Sequence, residues 1–256
     1  MSIDVTAIIM FHQEGKLATP SILSFRKMVE YSRRAGLQIE TITVLDRPDD
    51  ETVRVLDSFK NDFDSVITID NGDLGVARNR GISHASGSYI AVFDGDDLWG
   101  ASWLARAHAW SIENKIRNAI LHPQLVHYFS AADYMEQSLS HSAPSNAKSF
   151  HFIHVDSGSI GFDKRAIFFN NLWTSNCFAH REVFNAYPYK AVEQVSGFGV
   201  EDWMWNAETL AAGIRHAVVA DSVHCVRIKE SNSLGNQNSK QGLLPPIHLI
   251  SKQLEV

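Results

Sequence analysis

No stretch of this chain approaches the ~20 consecutive apolar residues that a membrane-spanning helix needs, and the opening MSID is not a basic segment followed by an apolar one. The expectation is a soluble, cytoplasmic protein without a transmembrane segment. Positive charge is also short: 23 Lys and Arg face 29 Asp and Glu, a formal charge of -6, which argues against a face that holds nucleic acid by releasing counterions. Cysteine is scarcer still. Cys177 and Cys225 lie far apart in no metal-type spacing, so neither a disulfide framework nor a zinc finger is indicated, and both read as buried free thiols. No internal repeat of solenoid or propeller period is present.

What is present is alternation. Residues 5–11 (VTAIIMF) form a continuously apolar run of the kind a strand buried on both faces needs, and the polar HQEG follows. Thr19 and Pro20 supply a cap and a first helical residue, and apolar residues then recur at helical spacing until Gly36. The pattern repeats: strand 39–45, helix 51–60, strand 65–69, helix 74–86, strand 89–93. Such a chain implies an α/β fold with a mostly parallel sheet, right-handed crossovers and helices on both faces. Ligands of these sheets collect beyond the carboxyl ends of the strands, where the loops here carry His12, Asp46, Asp70 and Asp94.

Beyond Gly100 the regularity weakens. A helix rich in Trp and Ala leads to a His-dotted strand at 121–129, a Ser-rich stretch at 137–148 that reads as a mobile loop, a strand at 173–178, a helix at 201–212 and two short strands within 217–228. At this length one domain is expected over 1–256, with a regular first half at 1–99 and a less regular second half at 100–256.

The densest chemistry follows the fourth strand. Asp94, Asp96 and Asp97 in DGDD place three carboxylates at the sheet mouth, where mutual repulsion calls for a cation or hydrogen-bond donors. Magnesium or manganese suits such oxygens and keeps positions open for phosphate. Helix capping is the competing reading, above all for Asp97. An EF-hand is excluded, because neither DNGDLG nor DGDDLW offers the required oxygens before a sixth-position glycine.

Residues 72–81 (GDLGVARNRG) and 84–99 (HASGSYIAVFDGDDLW) together resemble family 2 glycosyltransferases of the GT-A (Rossmann-like) fold, through ARNxG, AxGxYI and DxDD. The resemblance extends to the opening strand and the C-terminal blocks and is loose over 100–170. It implies an inverting transferase that moves a sugar from a nucleoside-diphosphate sugar to an acceptor hydroxyl, with Mn2+ or Mg2+ as cofactor. It also implies 1–99 as the nucleotide-sugar-binding half and 100–256 as the acceptor-binding half with a smaller C-terminal acceptor-binding part, a glycan or lipid-linked glycan acceptor, and polysaccharide synthesis by family analogy.

Carried over residue by residue, the resemblance puts Glu14, Asp46, Arg78 and Asp94 at the nucleotide, with His12 in place of a family aromatic. For Arg78 the competing reading is a helix-surface residue paired with Asp70 or Asp73. Asp96 becomes the metal ligand and His224 a second one, against the plainer reading of His224 as a buried imidazole. The block 197–205 (GFGVEDWMW) resembles the family's Gly-Glu-Asp-x-x-Trp and makes Asp202 the catalytic base, with Glu201 and Trp203 toward the acceptor. A capping role for Asp202, and a core role for Trp203 and Trp205, are the alternatives. Asn79 and Gly81 read as structural. Arg227, Lys229 and Ser233 are expected to close over the diphosphate. The tail 243–250 (LLPPIHLI) reads as a packed end or a protein contact and leaves peripheral association with the inner face of a membrane open.

Three other functions compete. A sugar-phosphate nucleotidyltransferase would carry a glycine-rich basic loop where HQEGK stands. A silent nucleotide-sugar or glycan-binding domain needs no base. A paired-carboxylate glycosidase leaves the nucleotide-type first half unexplained.

Overall fold

The protein's computed structural model describes residues 2–133, 148–192, 200–229, 242 and 244–254. Residues 137–147 of the expected mobile loop, 197–199 of the acidic block, Ser233 and Leu243 lie outside the described residues.

Strands β1 (Val5–Phe11), β2 (Ile39–Asp46), β3 (Ser65–Ile69) and β4 (Tyr89–Asp94) alternate with helices α1 (Ala18–Arg34), α2 (Asp50–Ser58) and α3 (Leu74–His84). They are followed by β5 (Leu98–Trp99), α4 (Trp103–Asn114), β6 (Ala119–Phe129), β7 (Phe150–Ile153), β8 (Cys177–His180), α5 (Arg181–Ala186), α6 (Glu201–Ala211) and β9 (Arg215–Arg227). Among the described residues the strands form one nine-stranded sheet in the order β3-β2-β1-β4-β8-β6-β9-β5, with β7 on β6. β1 to β4 are parallel, β8 runs against both β4 and β6, and β9 runs parallel to β6, so most strands point one way.

The pleat divides the core. Val5, Ala7, Ile9 and Phe11 face α1 and α4, where Phe25, Met28, Trp103 and Leu104 complete one cluster. Ile8 and Met10 face α3, α5 and α6, packing with Ala77, Ile82, Phe184 and Trp205. Burial of each such side chain contributes roughly 1.5–3 kcal/mol. Gly81 lets α3 sit on the sheet, since a Cβ there would lie 2.6 Å from Ile8 Cγ2. A third cluster, Ile167, Trp173, Ala207, Leu210, Ile247 and Leu254, seats the annex, and the 247–254 tail packs into it.

Several expected details change. The first helix begins at Ala18 behind a 3-10 turn at Gly15–Leu17, so Thr19 lies inside it instead of capping it. The strand expected at 173–178 starts only at Cys177. The two short strands expected within 217–228 are one strand with a bulge: Asp221, at φ 54, donates its N–H to Gln124, and Ser222 Oγ accepts the Gln124 N–H, clipping the extra residues to β6. β5 and β7 are additions, too short to carry a pattern of their own.

Candidate functional site

The carboxyl ends of β1, β2 and β4 meet α6 and the end of β9. Arg78, at 1% exposed, is the hub: Nη1 donates to Glu201 Oε1 at 2.7 Å and Nη2 to Asp94 Oδ1 at 3.0 Å, while the guanidinium lies 5.2 Å from the Tyr189 ring centroid. A guanidinium fork can hold two carboxylates at once, which an ammonium on a flexible stem does less well. The surface reading of Arg78 is thus excluded, and its guanidinium is committed to two carboxylates. Its place is between the DGDD turn and the start of α6, 123 residues away in sequence from Glu201. Asn79 exchanges two hydrogen bonds with the Tyr189 backbone and holds the same region from the next helical position.

Each acid of DGDD has its own basic or donor partner. Asp94 also accepts from Ser175 Oγ at 2.5 Å; burial opposes its charge, but Arg78 and Ser175 outweigh this and hold it below the ordinary carboxylate value. Asp96 Oδ2 pairs with Lys229 Nζ at 2.6 Å. Asp97 accepts from the Arg227 N–H at 2.9 Å and from His224 Nε2 at 2.8 Å, so it clamps β9 and does not cap α4, whose first turn follows Ser102. Gly95 between them is enforced by space, because a Cβ there would meet Met10 O at 2.5 Å. Burial, with Asp97 nearby, raises Asp96 to about 6, and burial with Asp96 nearby raises Glu14 to about 7.

The expected metal set therefore needs correcting. His224 is 1% exposed, stacks on Trp99 and uses both ring nitrogens, one on Asp97 and one with Thr174 Oγ1, so it does not face Asp96. Among the described residues no group of three His, Cys, Asp or Glu side chains is placed to hold a metal ion. Positive charge reaches these acids from Arg78 at Asp94 and from Lys229 at Asp96. The Arg227 guanidinium donates Nε to Asp96 O and lies 4.8 Å from the Phe129 ring centroid.

Asp46 also departs from expectation. Its carboxylate accepts from the backbone N–H of Asn71, of Gly72 through both oxygens, and of Asp73 at 2.8–3.1 Å, so it organises that loop and has little left for a nucleoside. The ring of His12, whose place is exposed, bonds the Asp46 carbonyl, and the backbone N–H of His12 donates to Glu14 Oε2 at 2.5 Å.

Asp202 stands at the start of α6. Its Oδ1 accepts from the Trp203 N–H at 2.7 Å and Oδ2 from Asn171 Nδ2 at 3.1 Å, one bond each, which leaves lone pairs for another donor. Burial first, and then Glu201, raises it to about 7, against the pull of Arg78. A carboxylate poised near neutrality suits proton abstraction. The two residues expected at the acceptor point elsewhere. Glu201 is 6% exposed and bound to Arg78, and the Trp203 indole donates to Ile167 O and packs on the third core cluster. Trp205 is core as well, stacked on Tyr189 and Phe184.

The segment 171–175 escaped the sequence reading, yet Asn171 touches Asp202, Thr174 touches His224 and Ser175 touches Asp94. The available signal was slight: Thr174 and Ser175 are polar residues inside the stretch read as a strand, and Asn171 lies just before it.

Among known proteins, the model of the family described as Glycosyl transferase family 2 matches residues 6–166. A poly(ribitol-phosphate) beta-glucosyltransferase of Bacillus spizizenii is 34% identical over 80 residues, 30% of this chain and 13% of that one. The structure of S. aureus TarS 1-349 in complex with UDP-GlcNAc aligns with TM-score 0.67 at 15% identity, over 98% of this chain and 66% of that one. TarS 1-349 with UDP aligns at TM-score 0.63 and 14% identity, over 94% of this chain and 70% of that one. The sheet and its helices are thus of the GT-A type. The chain spans a small part of the curated relative and just under two thirds of the first TarS chain.

Proposed function

The chain belongs to glycosyl transferase family 2, and from that premise we propose that it moves a sugar from a nucleoside-diphosphate sugar to an acceptor hydroxyl with inversion, Asp202 taking the proton. The observation that carries this reading is the Arg78 bridge, which brings the DGDD acids and the acidic start of α6 into one site.

In the proposed reaction Asp94 lies by the ribose, while Lys229 and Arg227 meet the diphosphate and neutralise charge as it departs. Asp202 accepts the proton of the acceptor hydroxyl as its oxygen attacks the anomeric carbon from the side opposite the diphosphate. No step is assigned to a divalent ion, because the side chains present do not gather around one. UDP is the proposed nucleotide, supported by the UDP and UDP-GlcNAc complexes of TarS. A hydroxyl of a glycan-type polymer is the proposed acceptor, supported by the poly(ribitol-phosphate) activity in the relative's name.

Calorimetric titration with UDP, GDP and dTDP, with and without manganese, tests the donor side without knowledge of the acceptor. Binding of UDP alone among the three is expected. Binding of none would remove the transferase reading.

A further inference from the structure

We propose that Asn171 is a positioning residue for the base: its amide holds Asp202 Oδ2 in place and favours the ionised carboxylate, and Asn206 fixes which way that amide points. The inference rests on Asp202 as the base.

The orientation of the amide follows from a chain of donors. Asn206, 2% exposed, sits one helical turn after Asp202 on α6, and its Nδ2 donates to Trp173 O at 3.1 Å and to Asn171 Oδ1 at 2.9 Å. Trp173 O is a carbonyl and only accepts, so the Asn206 amide cannot be reversed. Asn171 must then offer its oxygen to Asn206 and its NH2 to Asp202, a distinction that distances to a single amide leave ambiguous. Asn171 thus donates to the charged form of the base and has no oxygen facing it that would suit the protonated form.

Other groups act on the same carboxylate. Glu201 on its own helix and Asp94 from β4 disfavour its charge, and Arg78 from α3 favours it. Tyr128 on β6, Cys177 on β8 and Tyr189 after α5 face it as neutral groups kept protonated by burial. Against a buried acidic neighbourhood, the Asn171 amide and the Trp203 N–H are the neutral donors that Asp202 has among the described residues.

Carboxyl-carbon NMR titration of the whole chain, labelled at aspartate, reads this directly, the Asp202 signal being the one absent from Asp202→Asn. Asn171→Ala is expected to raise the Asp202 pKa by about one pH unit, the scale of a lost hydrogen bond to a charged group. Asn206→Leu, which frees the amide to turn, should raise it in the same direction and serves if Asn171→Ala does not fold. An Asp202 signal within about 0.3 pH units of wild type in a folded variant, below the scale set by such a bond, would overturn the proposal. This titration needs no donor or acceptor, so its failure is distinct from failure of the transferase reading, which the transfer assay of Asp202→Asn reports. Where transfer is measured, the rising limb of the pH profile should move upward with the pKa and activity should recover at higher pH, which a purely structural loss would not do.

Discussion

At the mouth of the sheet Asp94, Glu201 and Asp202 surround Arg78, whereas behind it His122 and His216 stack on Trp173 and His154 meets His122 edge-on. The DGDD turn next to the first cluster reaches the second through Thr174, whose Oγ1 meets the His224 held by Asp97 and whose N–H donates to His154 Nε2. In the first, acids share a cation and keep lone pairs in reserve. In the second the imidazoles bond one another, a hydroxyl and the backbone. His216 bridges its neighbours, its Nδ1 3.0 Å from His122 Nε2 and its Nε2 2.9 Å from Thr209 Oγ1. His154 Nδ1 donates to Pro123 O and its Nε2 accepts the Thr174 N–H. A further proton on the stack would be buried without a partner, and all three imidazoles are held below their ordinary value by burial, His154 to about 4 and His216 to about 3. The contrast separates burial that leaves an ionisable group open to a ligand from burial that closes it.

The sharpest test of the contrast is Asp202→Asn, expected to retain UDP binding by calorimetry and to lose transfer by about a thousandfold or more, in line with loss of a general base. Unchanged turnover would remove Asp202 from the base role. Next is Arg78→Met, which leaves Asp94 and Glu201 buried without their shared cation; urea unfolding should show a loss of about 3–5 kcal/mol. The histidine cluster should reveal itself in acid. Unfolded imidazoles take protons near pH 6.5 and the native ones do not, so stability is complete above that value and falls as pH drops toward 4. His216→Phe should flatten that fall by up to about 1.4 kcal/mol per pH unit, and an unaltered slope would show that the stack does not control acid unfolding. The smallest effect is expected from Asp221→Gly, at the positive-φ bulge of β9, which should change stability by less than about 1 kcal/mol and leave both clusters intact.

β1, β2 and β4 were legible because each is a continuous buried run joined to its helix by a short polar loop, the pattern that parallel pairing demands, whereas the exposed edge strand β3 was legible from its place in the alternation. The acids of DGDD and of α6 were legible as residues but not as partners. Arg78 reads as a helical arginine until the fold places Glu201 on it, and Asp46 reads as a ligand contact until three consecutive N–H groups close on it. His224 and Glu201 were turned inward by contacts more than a hundred residues away. Asn171, Thr174 and Ser175 carry no local pattern, since what they do depends on carboxylates and an imidazole that other elements bring to them.

Arg78 has a consequence in the language of linked equilibria. One guanidinium touches both the acid assigned to the donor and the acid adjoining the base, so the free energy of loading the donor and that of ionising Asp202 share a common term. By thermodynamic necessity, whatever factor nucleotide binding applies to the ionisation of Asp202, ionisation of Asp202 applies to the binding of nucleotide. A donor affinity measured at two pH values astride the titration of Asp202 therefore reads out, without any acceptor, how strongly the two halves of the molecule speak to each other.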